Sequence, residues 1–244
     1  MDRFFVSADT WSDGCVRLGA EESHHCLRVM RKRKGEPVEV FDGAGRRARG
    51  VIAGEHAGAV EVTIETVSLE EPDHPVIQLV VAVAKGKAMD LVVQKAVELG
   101  VNSIQPVLTE RTVVRVEAND EERKEQKWQR VALEACKQCG QNFVPKVRPV
   151  AQWEEWIGNW RGGRRMGLLA SPSADTMTLK EALARLPENP ERIDWVIGPE
   201  GGFSDAEIES AAGAGLQRVS LGLLTLRVET AVLYGLSVLS YELR

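Results

Sequence analysis

The sequence holds little that would mark a secreted, membrane-bound or redox protein. Its 244 residues contain four cysteines, Cys15, Cys26, Cys136 and Cys139, too few and too scattered for a disulfide framework. No run approaches the roughly 18 apolar residues of a membrane span, so no membrane contact is expected. The first residues, MDRFFVSADTW, lack the apolar stretch and cleavage site of a secretion signal, and the expected location is the cytoplasm. Net positive charge is missing too. The 31 Lys and Arg against 36 Asp and Glu leave −5, which argues against a nucleic-acid binder held by bulk charge but not against a local basic patch. Two nucleotide signatures are also absent. The chain has no GxxxxGK[ST] phosphate loop, and after its first expected parallel strand it reads AKGKAMD rather than GxGxxG, which excludes Rossmann-type dinucleotide binding.

What is present falls into two periodicities. Up to about residue 70 the chain reads as short strands: PVEVF at 37–41 alternates, and VEVTIETV at 60–67 puts Val60, Val62 and Ile64 on one face. Gly35, Gly43, Gly45, Gly50, Gly54 and Gly58 are expected at the turns, and a short helix is expected over Ser23–Met30. Many short strands in so few residues predict a small β-barrel. EEPDHP at 70–75 then interrupts the pattern, placing a boundary between domains at 1–72 and 73–244. Beyond it, strands are expected at 76–84, 103–108, 165–170, 193–197 and 217–221, and helices at 88–100, 121–140, 178–186, 205–214 and 229–243. Repeated strand–helix units predict an α/β fold with a parallel sheet covered on both faces and ligands at the carboxyl ends of its strands.

The richest motif is DWVIGPEGGFSDAEIESA at 194–211. A buried strand runs into Gly198-Pro199-Glu200-Gly201-Gly202 and then into a helix whose start is doubly specified. Ser204 and Glu207 form a capping box, and Phe203 with Ile208 form a hydrophobic staple. The glycine loop thus hangs between a strand's carboxyl end and a helix's amino end, where a ligand can approach backbone N–H groups closely. A tight turn without a ligand is the competing explanation. In RVSLGLLTLRVETAVLYGL at 218–236 a strand ends at Leu221-Gly222, and Arg227 and Glu229 flank the last helix, whose stripe is Val232, Leu236, Leu239 and Leu243. A plain helix-terminal charge pair is the alternative for those two residues.

GPEGGFSDAE and LG…LRVETA, preceded by KGKAMDLVVQKAVELGV at 85–101 and EACKQCG at 134–140, resemble the ribosomal RNA small-subunit methyltransferase E family. HHCLRVMRKRKGEPVEVFDGAG at 24–45 resembles its N-terminal segment, so the likeness spans nearly the whole chain. It implies a SPOUT-type parallel sheet with a trefoil knot in the C-terminal domain, a PUA-like N-terminal β-barrel, a homodimer, S-adenosyl-L-methionine as cofactor without a metal, and N3-methylation of uridine in 16S rRNA, free or within the small ribosomal subunit. Carried onto this sequence, the cofactor residues are Leu169, Ala170, Ser171, Gly198, Pro199, Glu200, Gly201, Gly202, Leu221, Gly222 and Leu226. Where the family often has Arg, this chain has Gln141 and Leu224.

For the chemistry, Arg227 is expected to orient the base or stabilise its developing charge, Glu229 to hold Arg227 or take the N3 proton, and Glu134 to be the reserve base. In the 121–140 helix, Trp128, Ala132, Ala135, Cys136 and Cys139 are expected to be buried, with Glu134, Gln138 and Gln141 as a polar stripe facing RNA. Cys136-x-x-Cys139 lacks a second ligand pair for zinc. Residues 28–49 carry eight bases against three acids, and Arg28, Arg31, Lys32, Arg33 and Arg46, with Gln138, are the expected RNA contacts. Two other readings stand beside this one: a SPOUT-class enzyme acting on a ribose 2′-oxygen or a guanine nitrogen, and a non-catalytic RNA-binding or ribosome-assembly protein.

Overall fold

The computed structural model describes residues 1–12, 14–114, 118–171 and 176–243. The chain divides into two compact units, Met1–Pro72 with Cys136–Val144, and Asp73–Ala135 with Pro145–Arg244.

The first unit is a six-stranded sheet, β1 (Arg3–Phe5), β2 (Trp11–Ser12), β3 (Cys15–Arg17), β4 (Pro37–Phe41), β5 (Arg46–His56) and β6 (Ala59–Leu69), in the order β1-β4-β5-β6-β3-β2. All pairs are antiparallel except β1 with β4. A helical segment, α1 (Ala20–His24) continuing as a π-helical turn over His25–Val29, interrupts the strands where a helix was expected. Phe4, Val16, Leu18, Val38, Val40, Val60 and Val62 form its core.

Three sequence expectations change here. Gly50 and Gly54 lie inside β5 rather than at turns, beside two register irregularities against β6. A Cβ at Gly50 would sit 2.1 Å from the Thr63 carbonyl oxygen, so the glycine permits a close strand approach at a bulge. β4 does not alternate either, because Val38, Glu39, Val40 and Phe41 are all buried. Glu39 turns inward because Arg3 meets it at 2.9 Å, while the Arg3 guanidinium lies 4.4 Å over the Phe41 ring. Finally, a single break at residue 72 leaves out Cys136–Val144, which belongs with the strands. Arg3 donates to the carbonyl of Cys136 (2.7 Å) and to the Asn142 side chain, and Lys137 pairs with Glu22. Gly43 and Gly45 lack the Cβ atoms that would collide with Val144 and Phe143.

In the second unit every strand pair is parallel. β7 (Val76–Ala82), β8 (Ser103–Leu108), β9 (Lys146–Val147), β10 (Ala151–Gln152), β11 (Arg165–Ala170), β12 (Met177–Thr178), β13 (Arg192–Ile197) and β14 (Gln217–Ser220) follow the order β10-β8-β7-β13-β11-β14-β12, with β9 also on β8. Their continuous apolar runs reflect burial on both faces. Val80, Val107, Leu169 and Val196 pack beneath Trp153 and Ile157 of α4 (Trp153–Asn159) and Ala211 of α6 (Asp205–Ala214). Trp195 points to the opposite face, towards α7 (Val228–Leu243), where a Cβ on Gly235 would fall 2.1 Å from its indole. That glycine lets helix and sheet approach. The other helices are α2 (Ala88–Glu98), α3 (Ala118–Cys139) and α5 (Leu179–Leu183). On α3, Trp128, Ala132, Ala135 and Cys136 are buried as expected, but Cys139 is exposed, one turn beyond the covered stretch. Burial pushes the thiols up, to about 12 for Cys136 and about 11 for Cys26. Among the described residues no helix is long and apolar enough to cross a membrane.

Candidate S-adenosylmethionine cleft

β13, β11 and β14 are neighbours in the sheet, so the loops leaving their carboxyl ends emerge side by side. They enclose a cleft of about 480 Å³, within the range of about 300–1,000 Å³ usual for small-molecule sites. Leu169–Ser171 come from the end of β11, Gly198–Gly202 from the loop after β13, and Leu221, Gly222 and Leu226 from the loop after β14. The structure thus brings together in one cavity all the residues named as cofactor contacts. Ser171 N–H donates to the Val219 carbonyl (2.9 Å), tying the first of these loops to β14.

The glycine loop is held by its own chain. Gly202 has φ +70°, a region that strains a residue with a Cβ. At Gly198 a Cβ would lie 2.9 Å from the Phe203 ring, so the space left there is filled by the staple phenylalanine. The Glu207 carboxylate, itself buried, accepts from Ser204 N–H (2.8 Å) and from Glu110 N–H (2.8 Å). A helix-capping residue therefore also fastens the loop that follows β8. The walls combine apolar side chains, among them Leu169, Ile197, Leu221 and Ala231, with backbone groups of the glycine loop, and the lining also carries two bases and two acids, Arg111, Arg218, Glu200 and Asp205. Arg218 reaches the Ser171 hydroxyl at 3.3 Å. The cleft pairs apolar walls with hydrogen-bonding and charged groups, a combination suited to a flat heteroaromatic ring carrying a charged tail.

Sequence reasoning missed Arg111, Arg218 and Asp205. Arg218 sits in a strand, and Arg111 follows a different strand, 90 residues before Gly201. A base just past a strand's carboxyl end was the available signal for Arg111.

The expected catalytic residues stand outside this lining. Arg227 is exposed between Leu226 and Val228, which do line the cleft, and its carbonyl accepts from Ala231 N–H at 2.9 Å. Glu229 is half-buried in the first turn of α7, and among the described residues no ion pair joins it to Arg227. Glu134 is exposed on α3, and Gln138 is exposed near the end of that helix. Of the expected RNA contacts, Arg28, Arg31 and Arg33 are exposed, and Arg46 is exposed and lies 5.2 Å over the Trp11 ring. Lys32 differs: it is half-buried and bound to Asp2 at 2.6 Å, a contact that raises its pKa. Leu224, where the family often has Arg, lines the cleft while remaining exposed, and Gln141 turns its side-chain oxygen back to Asn142 N–H at 3.0 Å.

Comparison with known proteins agrees with this geometry. A family model for an RNA methyltransferase domain matches residues 71–240, and one for an RNA methyltransferase PUA domain matches residues 18–65. The chain is 32% identical over 230 residues to the ribosomal RNA small subunit methyltransferase E of Synechocystis, covering 94% of this chain and 74% of that protein. To the enzyme of the same name from Bacillus subtilis it is 26% identical, covering 99% and 97%. Among solved structures, a methyltransferase of Legionella pneumophila in complex with its bound cofactor S-adenosylmethionine superposes with a TM-score of 0.87 at 31% identity, over 99% of this chain and 98% of that one. The S-adenosylmethionine-bound ribosomal RNA small subunit methyltransferase E of Neisseria gonorrhoeae gives the same TM-score at 30% identity and the same coverage. By its motifs, its two matched domains and these relatives, the chain belongs to the ribosomal RNA small subunit methyltransferase E family of RNA methyltransferases.

Proposed function

We propose that this protein methylates N3 of a uridine in 16S rRNA, using S-adenosylmethionine held in the cleft beyond β11, β13 and β14. The observation that carries this reading is the convergence of Leu169–Ser171, Gly198–Gly202, Leu221, Gly222 and Leu226 on one cavity of suitable size and chemistry. When bound there, S-adenosylmethionine supplies an electrophilic methyl group on a sulfonium. The protein's task is to prepare the acceptor. Neutral uracil carries a proton on N3, so transfer requires that this proton leave and that the charge spreading to O2 and O4 be met by a donor.

Arg227 is the donor in this scheme, since it stands exposed between two residues of the cleft wall with no carboxylate partner among the described residues. Glu229, not consumed by an ion pair with Arg227, is the proton acceptor, and Glu134 is the alternative. The target uridine must be unpaired or flipped to reach the cleft. The PUA-like unit docks the RNA backbone through Arg28, Arg31, Arg33 and Arg46, with Gln138 on the same partner. We further propose a cytoplasmic homodimer whose C-terminal segment is threaded as a trefoil knot, as in the family it resembles.

Nucleoside mass spectrometry of 16S rRNA from a deletion strain, with and without the restored gene, tests the reading. Loss and return of N3-methyluridine is the expected result. A changed ribose or guanine nucleoside would move the reaction to another atom, and no change in any nucleoside would make the protein a binding factor.

A further inference from the structure

Arg111 closes over the glycine loop from a distant part of the chain. Its guanidinium donates to the carbonyl of Gly201 (3.0 Å) and to that of Phe203 (3.4 Å). Its stem lies where a side chain on Gly201 would be: a Cβ there would meet Arg111 Cβ at 3.3 Å and Cδ at 3.5 Å. A side chain at 201 would thus crowd Arg111 by a few tenths of an ångström, so the glycine lets the arginine stem lie close over the loop. In return, Glu207 from α6 reaches across to the backbone of Glu110 (2.8 Å). Two charged side chains, passing in opposite directions, fasten Thr109–Thr112 to the two ends of the Gly201–Glu207 stretch. Thr109 N–H and the Thr112 hydroxyl close that turn on itself at 3.0 Å.

Glycine-rich loops sample many backbone states when free, and a ligand that needs one of them loses affinity in proportion to how seldom it is populated. We propose that Arg111 is a positioning residue that pre-orders the Gly198–Gly202 loop for S-adenosylmethionine, so that part of the cofactor's affinity resides in a side chain outside every motif of the sequence. This rests on the reading that the cleft holds S-adenosylmethionine. Arg111 has no carboxylate partner among the described residues, and the side chain is exposed, so its hydrogen bonds serve the loop rather than the core.

Calorimetric titration of S-adenosylmethionine into the full chain tests this. Arg111→Ala is expected to weaken binding about tenfold, with the urea midpoint and circular dichroism unchanged. Arg111→Lys, which keeps the stem over Gly201 but replaces a planar fork with a single ammonium, is expected to fall between Ala and wild type. In turnover assays on 16S rRNA, the KM for S-adenosylmethionine should rise about tenfold in Arg111→Ala, while turnover at saturating cofactor falls less than threefold and the KM for RNA stays constant. Wild-type affinity in both variants would overturn the inference alone. So would a loss of turnover at unchanged KM, or a fall in stability that accounts for the weaker binding. Failure of the wild-type chain to bind S-adenosylmethionine would overturn the cofactor reading, and this inference with it.

Discussion

The PUA-like unit and the cleft use their basic residues in opposite ways. In the first, Arg3 and Arg49 share Glu39, Lys32 holds Asp2, Arg47 meets Glu70, Arg17 meets Glu61 and Lys137 meets Glu22. Around the cleft, Arg111 bonds backbone carbonyls and Arg218 bonds a hydroxyl. Three of the eight bases counted over residues 28–49, Lys32, Arg47 and Arg49, thus already have carboxylate partners within the fold, whereas Arg111 and Arg218 at the cleft bond only uncharged groups. Charge counted in a sequence is not charge available to a partner.

The largest effect expected from this contrast is at Glu39. The side chains of Arg3 and Glu39 are only 7% and 10% exposed, so Glu39→Ala leaves a buried guanidinium with its hydrogen bonds to Cys136 and Asn142 but without a carboxylate counter-charge. It should cost about 3–5 kcal/mol of stability, read as a lower urea midpoint. A cost below about 1 kcal/mol would mean that the pair behaves as a surface bridge and that the contrast is overdrawn.

At the cleft the expected loss is in rate. Arg227→Ala and Glu229→Ala should each lower single-turnover rates about a hundredfold or more, with S-adenosylmethionine binding nearly unchanged. If Glu229 accepts the proton, raising the pH should partly restore Glu229→Ala, because the uridine then ionises without help, and should restore Arg227→Ala less. Near-normal rates in both would move attention to Glu134 and Gln138.

A smaller effect separates free from consumed bases within the PUA-like unit. Replacing Arg28, Arg31 and Arg33 together by Ala should reduce the log–log salt dependence of RNA binding by about 2–3 units, whereas Lys32→Ala, which removes a base already paired with Asp2, should change it by less than about one. Equal slopes for the two variants would erase the distinction. The smallest effect concerns the thiols. At pH 8 a thiol reagent should modify exposed Cys139 quickly, half-buried Cys15 more slowly, and Cys26 and Cys136 only on unfolding, since burial holds their pKa values at about 11 and 12.

The glycine loop and its capped helix were legible because their signals are local: Ser204, Glu207, Phe203 and Ile208 lie within six consecutive positions. The parallel strands were legible because burial on both faces leaves unbroken apolar runs such as LVVAVA. Reading failed where a residue's role depends on a distant partner. Gly50 looked like a turn but yields to Thr63 across a bulge, Glu39 looked outward-facing but answers Arg3, and Cys139 looked buried because periodicity says nothing of where coverage ends. The short helix Trp153–Asn159 was not anticipated, since about two turns carry too little period to detect.

By itself, then, the sequence determined the α/β class and most strands and helices, which rest on periodicity, and the Gly198–Gly202 loop, which rests on a contiguous motif, whereas the other expected cofactor residues came only through the family resemblance. Tertiary structure alone decided that three loops separated by tens of residues share one cavity, that Cys136–Val144 joins the PUA-like unit, that Lys32 is consumed by Asp2, and that Arg111 covers Gly201. Those outcomes depend on strand order and on pairs of side chains meeting across the fold, and neither leaves a trace in the spacing of residues along the chain.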